Sequence, residues 1–213
     1  MDPKIVKNLA LAQSNKVRKI AIFAAAAIFL LWLFFASTVT IDTGKIAVMT
    51  RFGKVTGQEL GEGFHLKSPI DKANGYDIKV LKEQTEAQAA SKDLQDVKST
   101  LVINYRLEAG RISEIHRTIG VLYKEKLIDP AVQEVFKGAT AKFDATQLIT
   151  DRQDVKADAY NELVKRLSRY GIIVQDLSIT NFSFSPEFSN AIEAKQVAAQ
   201  EAERAKFSLE KPT

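Results

Sequence analysis

Hydrophobic and polar positions change period three times along this chain, and each change predicts a different kind of element. From Ile20 to Ala36 the pattern is unbroken apolar, IAIFAAAAIFLLWLFFA, without a charged residue. At 1.5 Å per residue that helix would be about 25 Å long, and about 33 Å if continued to Ile41. These lengths bracket the ~30 Å hydrocarbon core of a bilayer, so residues 20–41 are expected to form one transmembrane anchor. A cleavable signal peptide fits less well. Its apolar region is shorter, and a cut after Ala36 would put Phe34 where a small residue is needed. A buried core helix would carry a polar face somewhere along such a length.

Beyond the anchor the pattern alternates. In Gly44–Gly53, Ile46, Val48, Thr50 and Phe52 fall on one face of a strand, and Gly53-Lys54 suits a tight turn. Gly57, Gly61 and Gly63 predict a loop before Phe64-His65-Leu66, closed by Ser68-Pro69. The clearest strand runs from Val97 to Leu107. Val97, Leu101, Ile103, Tyr105 and Leu107 point one way, with Ser99 as the gap, and Lys98, Thr100, Asn104 and Arg106 point the other. One dry and one wet face imply an antiparallel sheet.

From Arg111 the period is helical. Asp129-Pro130 reads as an N-cap with proline at N1, opening a helix to about Lys142. Thr150-Asp-Arg-Gln153 fits a capping box before the stripe Val155, Ala159, Leu163, Leu167, and the helix should stop at Tyr170-Gly171. A β segment follows from Ile172 to Phe184, its apolar phase shifting near Asn181 as at a bulge or in a strand covered on both faces. Strands, then helices, then a strand predict an α+β fold with a mixed, largely antiparallel sheet.

Pro186 starts a last helix whose Ala191, Ala194, Ala198, Ala202 and Ala205 follow a 3-4-4-3 spacing. An 11-residue step separates Ala191 from Ala202, which gives a nearly straight or slightly right-handed seam. Small residues there permit close helix–helix approach, so these five alanines are the expected oligomer interface of a coiled coil. The competing reading is an alanine-rich helix packed on its own domain.

Charge divides the chain in the same place as hydropathy. It carries 30 Lys+Arg against 26 Asp+Glu, a net +4. The first 19 residues hold five bases (Lys4, Lys7, Lys16, Arg18, Lys19) and one acid, Asp2, so the remainder is formally neutral. A basic flank before the span predicts an N-terminus on the cytoplasmic side and an exported main domain. A nucleic-acid partner is not expected, because the positive charge belongs to the flank rather than to the folded domain.

No pattern assembles catalytic chemistry. The two histidines, His65 and His116, have no HExxH context, and the absence of cysteine removes thiolate ligands, so neither metal nor cofactor is expected. Gly61-Glu-Gly63 lacks the last glycine of a dinucleotide fingerprint, and Val39 stands where a phosphate loop before Gly44-Lys45 would need glycine. The expectation is a protein that is not an enzyme, with no catalytic residues.

Arg51-Phe-Gly-Lys-Val55, Gly61-Glu-Gly-Phe-His-Leu66 with Ser68-Pro69, Ser91-Lys-Asp-Leu-Gln95, Asp129-Pro130-Ala-Val132 and Tyr170-Gly171 occur in the order typical of the SPFH (stomatin/prohibitin/flotillin, or band 7) superfamily. The stretch Ala191–Phe207 resembles the prohibitin branch, and the resemblance covers roughly residues 41–207. It implies a non-enzymatic scaffold that contacts membrane lipids and assembles with itself or an SPFH paralogue into rings or microdomains. It also implies regulation of a membrane-anchored AAA protease of the FtsH type. The N-in topology matches the prohibitin and HflK/HflC-like branches, with the main domain periplasmic or, in mitochondria, facing the intermembrane space.

The expected organisation is a basic flank (1–19), the anchor (20–41), an SPFH domain (42–185) and the start of a coiled-coil helix (186–213). The family continues that helix well past Phe207, whereas Pro212 here predicts a stop and a truncated coiled coil. The alternative function is an anchored periplasmic module that captures a ligand or lipid without forming rings.

Overall fold

The computed structural model describes residues 3–209, with side chains from Arg18 to Arg204 and at Lys206. It opens with helix α1 (Pro3–Ala36) and divides into two compact units, residues 1–76 and 77–213.

The first unit continues from α1 into short strands: β1 (Thr38–Ile41), β2 (Lys45–Arg51), β3 (Lys54–Leu60), β4 (Gly63–Leu66) and β5 (Asp71–Asp77). β1 pairs antiparallel with β4, and β2 lies between β3 and β5. The apolar helix therefore ends at Ala36, five residues before the expected limit, because Thr38, Val39 and Thr40 are taken into a ladder with β4. Two further expectations change here. Gly57 lies inside β3 instead of opening a loop, and β2 is covered on both faces. Ala47 and Met49 join Ile41 and Leu60 in a small core, while Val48 and Thr50 are buried on the other side. Phe52 is expelled into the turn, 88% exposed at φ +49, with Gly53 at φ +83. Those paired positive angles fit the hairpin turn that matches strand twist, which outweighs the burial of one ring.

The second unit is a three-stranded antiparallel sheet with helices on one face. β6 (Leu81–Ala90), β7 (Asp96–Leu107) and β8 (Ile172–Phe184) lie in that order. The alternation in β7 holds throughout: Val97, Leu101, Ile103, Tyr105 and Leu107 are at most 1% exposed, and Lys98 and Arg106 face solvent. The phase shift in β8 is a bulge. Lys98 pairs with Ser183 and Thr100 with Thr180, leaving Ser99 opposite two residues, one of them Asn181 at φ +33.

A 3₁₀ turn (Ala109–Arg111) and α2 (Ile112–Thr118) lead to a π-helical turn (Lys124–Ile128) that runs directly into α3 (Asp129–Thr140). Asp129 is therefore not an N-cap, since the chain is already helical there. The wide turn relieves the clash that Pro130 would otherwise make with the carbonyl four residues back. Asp129 instead accepts a 2.8 Å hydrogen bond from Thr85 Oγ1 on β6.

The capping box also moves. It opens α4 (Ala145–Thr150), where Gln147 Oε1 accepts from the Asp144 N–H at 3.0 Å, rather than opening α5 (Arg152–Ser168) at Thr150. The α5 stripe stands as expected, with Val155, Ala159, Leu163 and Leu167 all fully buried. α3 packs on β6 and on α5, and α5 packs on β8. Gly171 follows α5 at φ +74, and a Cβ there would meet the Arg111 side chain at 2.9 Å. Arg111 occupies that space to donate to the carbonyls of Ser168 and Arg169 at the helix end. The last described element is α6 (Pro186–Leu209).

Candidate membrane and assembly surfaces

Two helices leave their apolar or small-residue faces unpartnered, and they bear on function differently. In α1, Arg18–Ala36 has a mean hydropathy of 2.3 and none of it is buried. Phe23, Phe29, Leu30, Trp32 and Phe35 are each more than half exposed. A helix apolar on every side has no wet face to present to water, so a hydrocarbon surround suits it best. Its last carbonyls are already satisfied, as a helix end near lipid requires. Ser37 Oγ donates to Leu33 O at 2.8 Å, Thr38 Oγ1 to Phe35 O at 3.0 Å, and Lys67 Nζ to Ala36 O at 2.8 Å. The bases Lys4, Lys7 and Lys16 and the acid Asp2 lie outside the side chains described.

α6 begins with a cap: the Phe188 N–H donates to Ser185 Oγ at 3.2 Å, and the Phe184 and Phe188 rings sit 5.2 Å apart. Beyond this first turn, among the described side chains, only Ile192 is partly covered. Ala191, Ala194, Ala198 and Ala202 are all exposed, so they do not pack on their own domain. Ala194 and Ala198 line a shallow furrow with Val197, flanked by Glu193 and Glu201. The side chain of Ala205 and the stop at Pro212 lie outside the described residues.

The titratable groups serve the frame. Arg51 donates to both carboxylate oxygens of Asp71, at 2.7 and 3.0 Å, and this hydrogen bonding holds the Asp71 carboxyl below its usual range. Asp93 accepts from Ser91 Oγ at 2.6 Å and from the Ala145 N–H at 2.9 Å, which likewise lowers its pKa and fixes the start of α4. Burial pushes the Tyr105 phenol up, with the Tyr123 ring at 6.5 Å. His116 is lowered by burial, and His65 donates to Gly61 O at 2.8 Å. The histidines lie in different units, and among the described residues no three His, Asp or Glu gather as a metal site.

A cleft of about 490 Å³ on the sheet is open and lined by Glu86, Gln88, Lys98, Thr100, Asn181 and Ser183. It holds no nucleophile paired with a base. Several motif residues quoted above thus have structural duties: Arg51 in the ion pair with Asp71, Ser91 and Asp93 in the cap, Asp129 in the tie to β6, and Gly171 beneath Arg111. What sequence reasoning missed is the helix-end role of Lys67. It is separated by 31 positions from the carbonyl it satisfies, and no local pattern signals it.

Comparison with known proteins agrees with this frame. Residues 39–211 match the model of the SPFH domain / Band 7 family. The chain is 40% identical over 178 residues to prohibitin-4, mitochondrial, of Arabidopsis thaliana, covering 83% of this chain and 64% of that protein. It is 39% identical to prohibitin-1 of Schizosaccharomyces pombe over 177 residues, covering 82% and 63% of the two chains. Against prohibitin 1 of Mus musculus it is 39% identical over 173 residues, covering 80% and 64%. The chain thus spans slightly less than two thirds of the length of these relatives. With the domain match running through both compact units, the chain belongs to the SPFH domain / Band 7 family and is prohibitin-like.

Proposed function

We propose that this chain is a non-enzymatic, membrane-anchored scaffold of prohibitin type that assembles through α6 with copies of itself or an SPFH paralogue. Arg18–Ala36 spans the bilayer with the basic N-terminal flank on the cytoplasmic (or mitochondrial matrix) side. The SPFH units then lie in the periplasm or, in mitochondria, in the intermembrane space. Side-by-side assembly would enclose a patch of membrane as a ring or microdomain and restrain a membrane-anchored AAA protease of the FtsH type.

The observation that carries this reading is the exposed alanine stripe of α6. A helix of 24 residues that leaves a capped first turn gains too little by burying alanine to be held on its own domain. Its alanines suit close approach by another helix, and the charged flanks Glu193, Lys195, Glu201 and Arg204 suit a coiled-coil margin. The family membership supports the scaffold reading in the same direction.

Native mass measurement of the full chain in mild detergent tests it. The expected result is a ladder of large oligomers that co-purifies with a membrane protease. A monodisperse monomer would instead favour the anchored ligand-binding module.

A further inference from the structure

We propose that the cleft between α3 and the end of α5 docks an acidic peptide segment of another protein, with an aliphatic side chain among its carboxylates. This goes beyond the scaffold reading and does not depend on how α6 assembles. The cleft measures about 310 Å³, opens to solvent and lies wholly within the second unit. Lys126 from the π-helical turn and Arg166 and Arg169 from the end of α5 line it, against one acid, Glu134 of α3. Leu127, Pro130 and Ala131 supply apolar surface, and the Tyr170 ring, 40% exposed, adds to it. Basic residues at the end of a helix are ordinary, because they suit its dipole. Here, however, the end carbonyls of Ser168 and Arg169 are already served by Arg111, at 3.1 and 2.7 Å. The guanidinium groups of Arg166 and Arg169 make no hydrogen bond or ion pair among the described residues, Glu134 included. Arg51 and Arg111, by contrast, are tied to Asp71 and Glu114. Lys126 reaches only the Ile119 carbonyl, at 3.4 Å.

Chemistry decides what fits. Three cations against one acid in a recess concentrate a positive field there and draw in anions. A planar guanidinium pairs with a carboxylate through two parallel hydrogen bonds and sheds its hydration more readily than an ammonium does. A bare phosphate would satisfy the cations and leave the apolar surface unused, whereas a leucine set among carboxylates gains by burying itself on it. The partner is another protein because this chain has no acidic run to offer. No six-residue stretch of it holds more than two Asp or Glu. Beyond residue 19 its charge is balanced, so a second copy brings no net attraction. Only a partner richer in acid makes the contact complementary.

The test titrates the full chain in mild detergent against a fluorescent peptide with three glutamates on each side of one leucine, read by anisotropy at low salt. Two companion peptides replace every glutamate by glutamine, or the leucine by serine. The expected result is saturable binding of the first, at least tenfold weaker for the glutamine peptide and at least threefold weaker for the serine peptide. Arg166→Gln together with Arg169→Gln should weaken binding at least tenfold, with the unfolding midpoint and native size of the parent. Lys82→Gln, which removes an exposed cation of β6, should bind like the parent. Unchanged binding by the arginine variant overturns the assignment to this cleft, and equal binding of the glutamine peptide overturns the acidic partner. Equal binding of the serine peptide takes the apolar surface out of the site and overturns the peptide reading. Displacement by inorganic phosphate at the concentration of the peptide's carboxylates would assign the cleft to a free anion, and overturns it likewise. Smaller oligomers in the arginine variant would assign the cleft to a second copy and overturn the partner named here. A fallen midpoint in the double variant passes the test to Arg169→Gln alone, an exposed position. A threefold loss is expected there, and no loss overturns the proposal.

Discussion

α5 and α6 are the two long helices of the second unit, both rich in charge and both carrying a stripe at helical spacing, yet one stripe is buried and the other bare. In α5 the stripe is Val155, Ala159, Leu163 and Leu167, and each is 0% exposed. In α6 it is alanine, and the four described members are exposed. The physical difference is area. Burying a leucine or valine is worth roughly 1.5–3 kcal/mol, enough to fix a helix against β8 and α3. An alanine methyl offers a fraction of that, so the stripe gains little from its own domain and suits a partner that approaches backbone to backbone. Spacing was equally regular in both helices; side-chain volume separates the helix that packs on its own domain from the one whose described stripe stays bare.

The largest effect should come from the buried stripe. Leu163→Ala removes a fully buried side chain between α5 and its neighbours and should cost about 2–5 kcal/mol. In a unit of this size that lowers the midpoint of thermal unfolding by roughly 6–15 °C. Circular dichroism on the detergent-solubilised chain reads it directly, and an unchanged midpoint would mean that the α5 interface is not a cooperative part of the core.

Next comes the bare stripe, where the same measurement should show almost nothing. Ala198→Glu leaves the domain's midpoint within a degree or two, since an exposed Ala-to-Glu change costs only a few tenths of a kcal/mol. Placed in a helix–helix seam, however, an unpaired charge costs several kcal/mol. Association should therefore weaken by more than tenfold. Glu203→Ala, off the stripe, is the control and should assemble like the parent. If Ala198→Glu assembles equally well, the difference between the two helices is not one of core against interface.

A smaller effect is expected where β6 meets α3. Thr85→Val removes the hydroxyl that donates to Asp129 in a largely buried setting, leaving that carboxylate one partner short. The expected loss is about 1–2 kcal/mol by chemical denaturation, without change in oligomer size. Loss of assembly in this variant would show that the helical layer, and not α6 alone, transmits to the interface.

The smallest effect belongs to the ion pair tying α5 to the sheet, Lys156 to Asp176 at 3.0 Å. The hydrogen bond from Lys156 lowers the Asp176 pKa. A carboxyl depressed in the folded state adds stability above its unfolded pKa of about 3.9, lost as pH falls through the folded value. Both partners are more than a third exposed, so Asp176→Asn should cost at most about 1 kcal/mol near neutral pH, and less in high salt. Its stability should then fall less steeply than the parent's below about pH 4. Parallel acid limbs for the two proteins would show that the pair contributes nothing.

The legible parts were those where local pattern and tertiary role coincide. β7 could be read residue by residue, because a strand with one dry face writes its burial into every second position. The α5 stripe, the stop at Gly171 and the bulge at Asn181 were readable for the same reason. β6 was not. Leu-Lys-Glu-Gln-Thr-Glu-Ala-Gln-Ala-Ala is composed of good helix formers, and ten consecutive pairings with β7 override that preference. The buried positions of its inner face, Thr85 and Ala87, are too small or too polar to announce themselves.

The sequence by itself determined the apolar length of the first helix, the antiparallel character of the sheet, the stripe of α5 and the alanine spacing of α6, since each is a one-dimensional regularity set by 2.0- or 3.6-residue geometry. Only the tertiary structure decided where the apolar helix ends, because the pairing of β1 with β4 claims Thr38–Ile41. It alone placed Lys67 on the carbonyl of Ala36, Thr85 on Asp129, and Arg166 and Arg169 around one cleft with Lys126. It also left the alanines uncovered. Those outcomes depend on contacts between residues far apart in the chain, whose free energies no local pattern encodes.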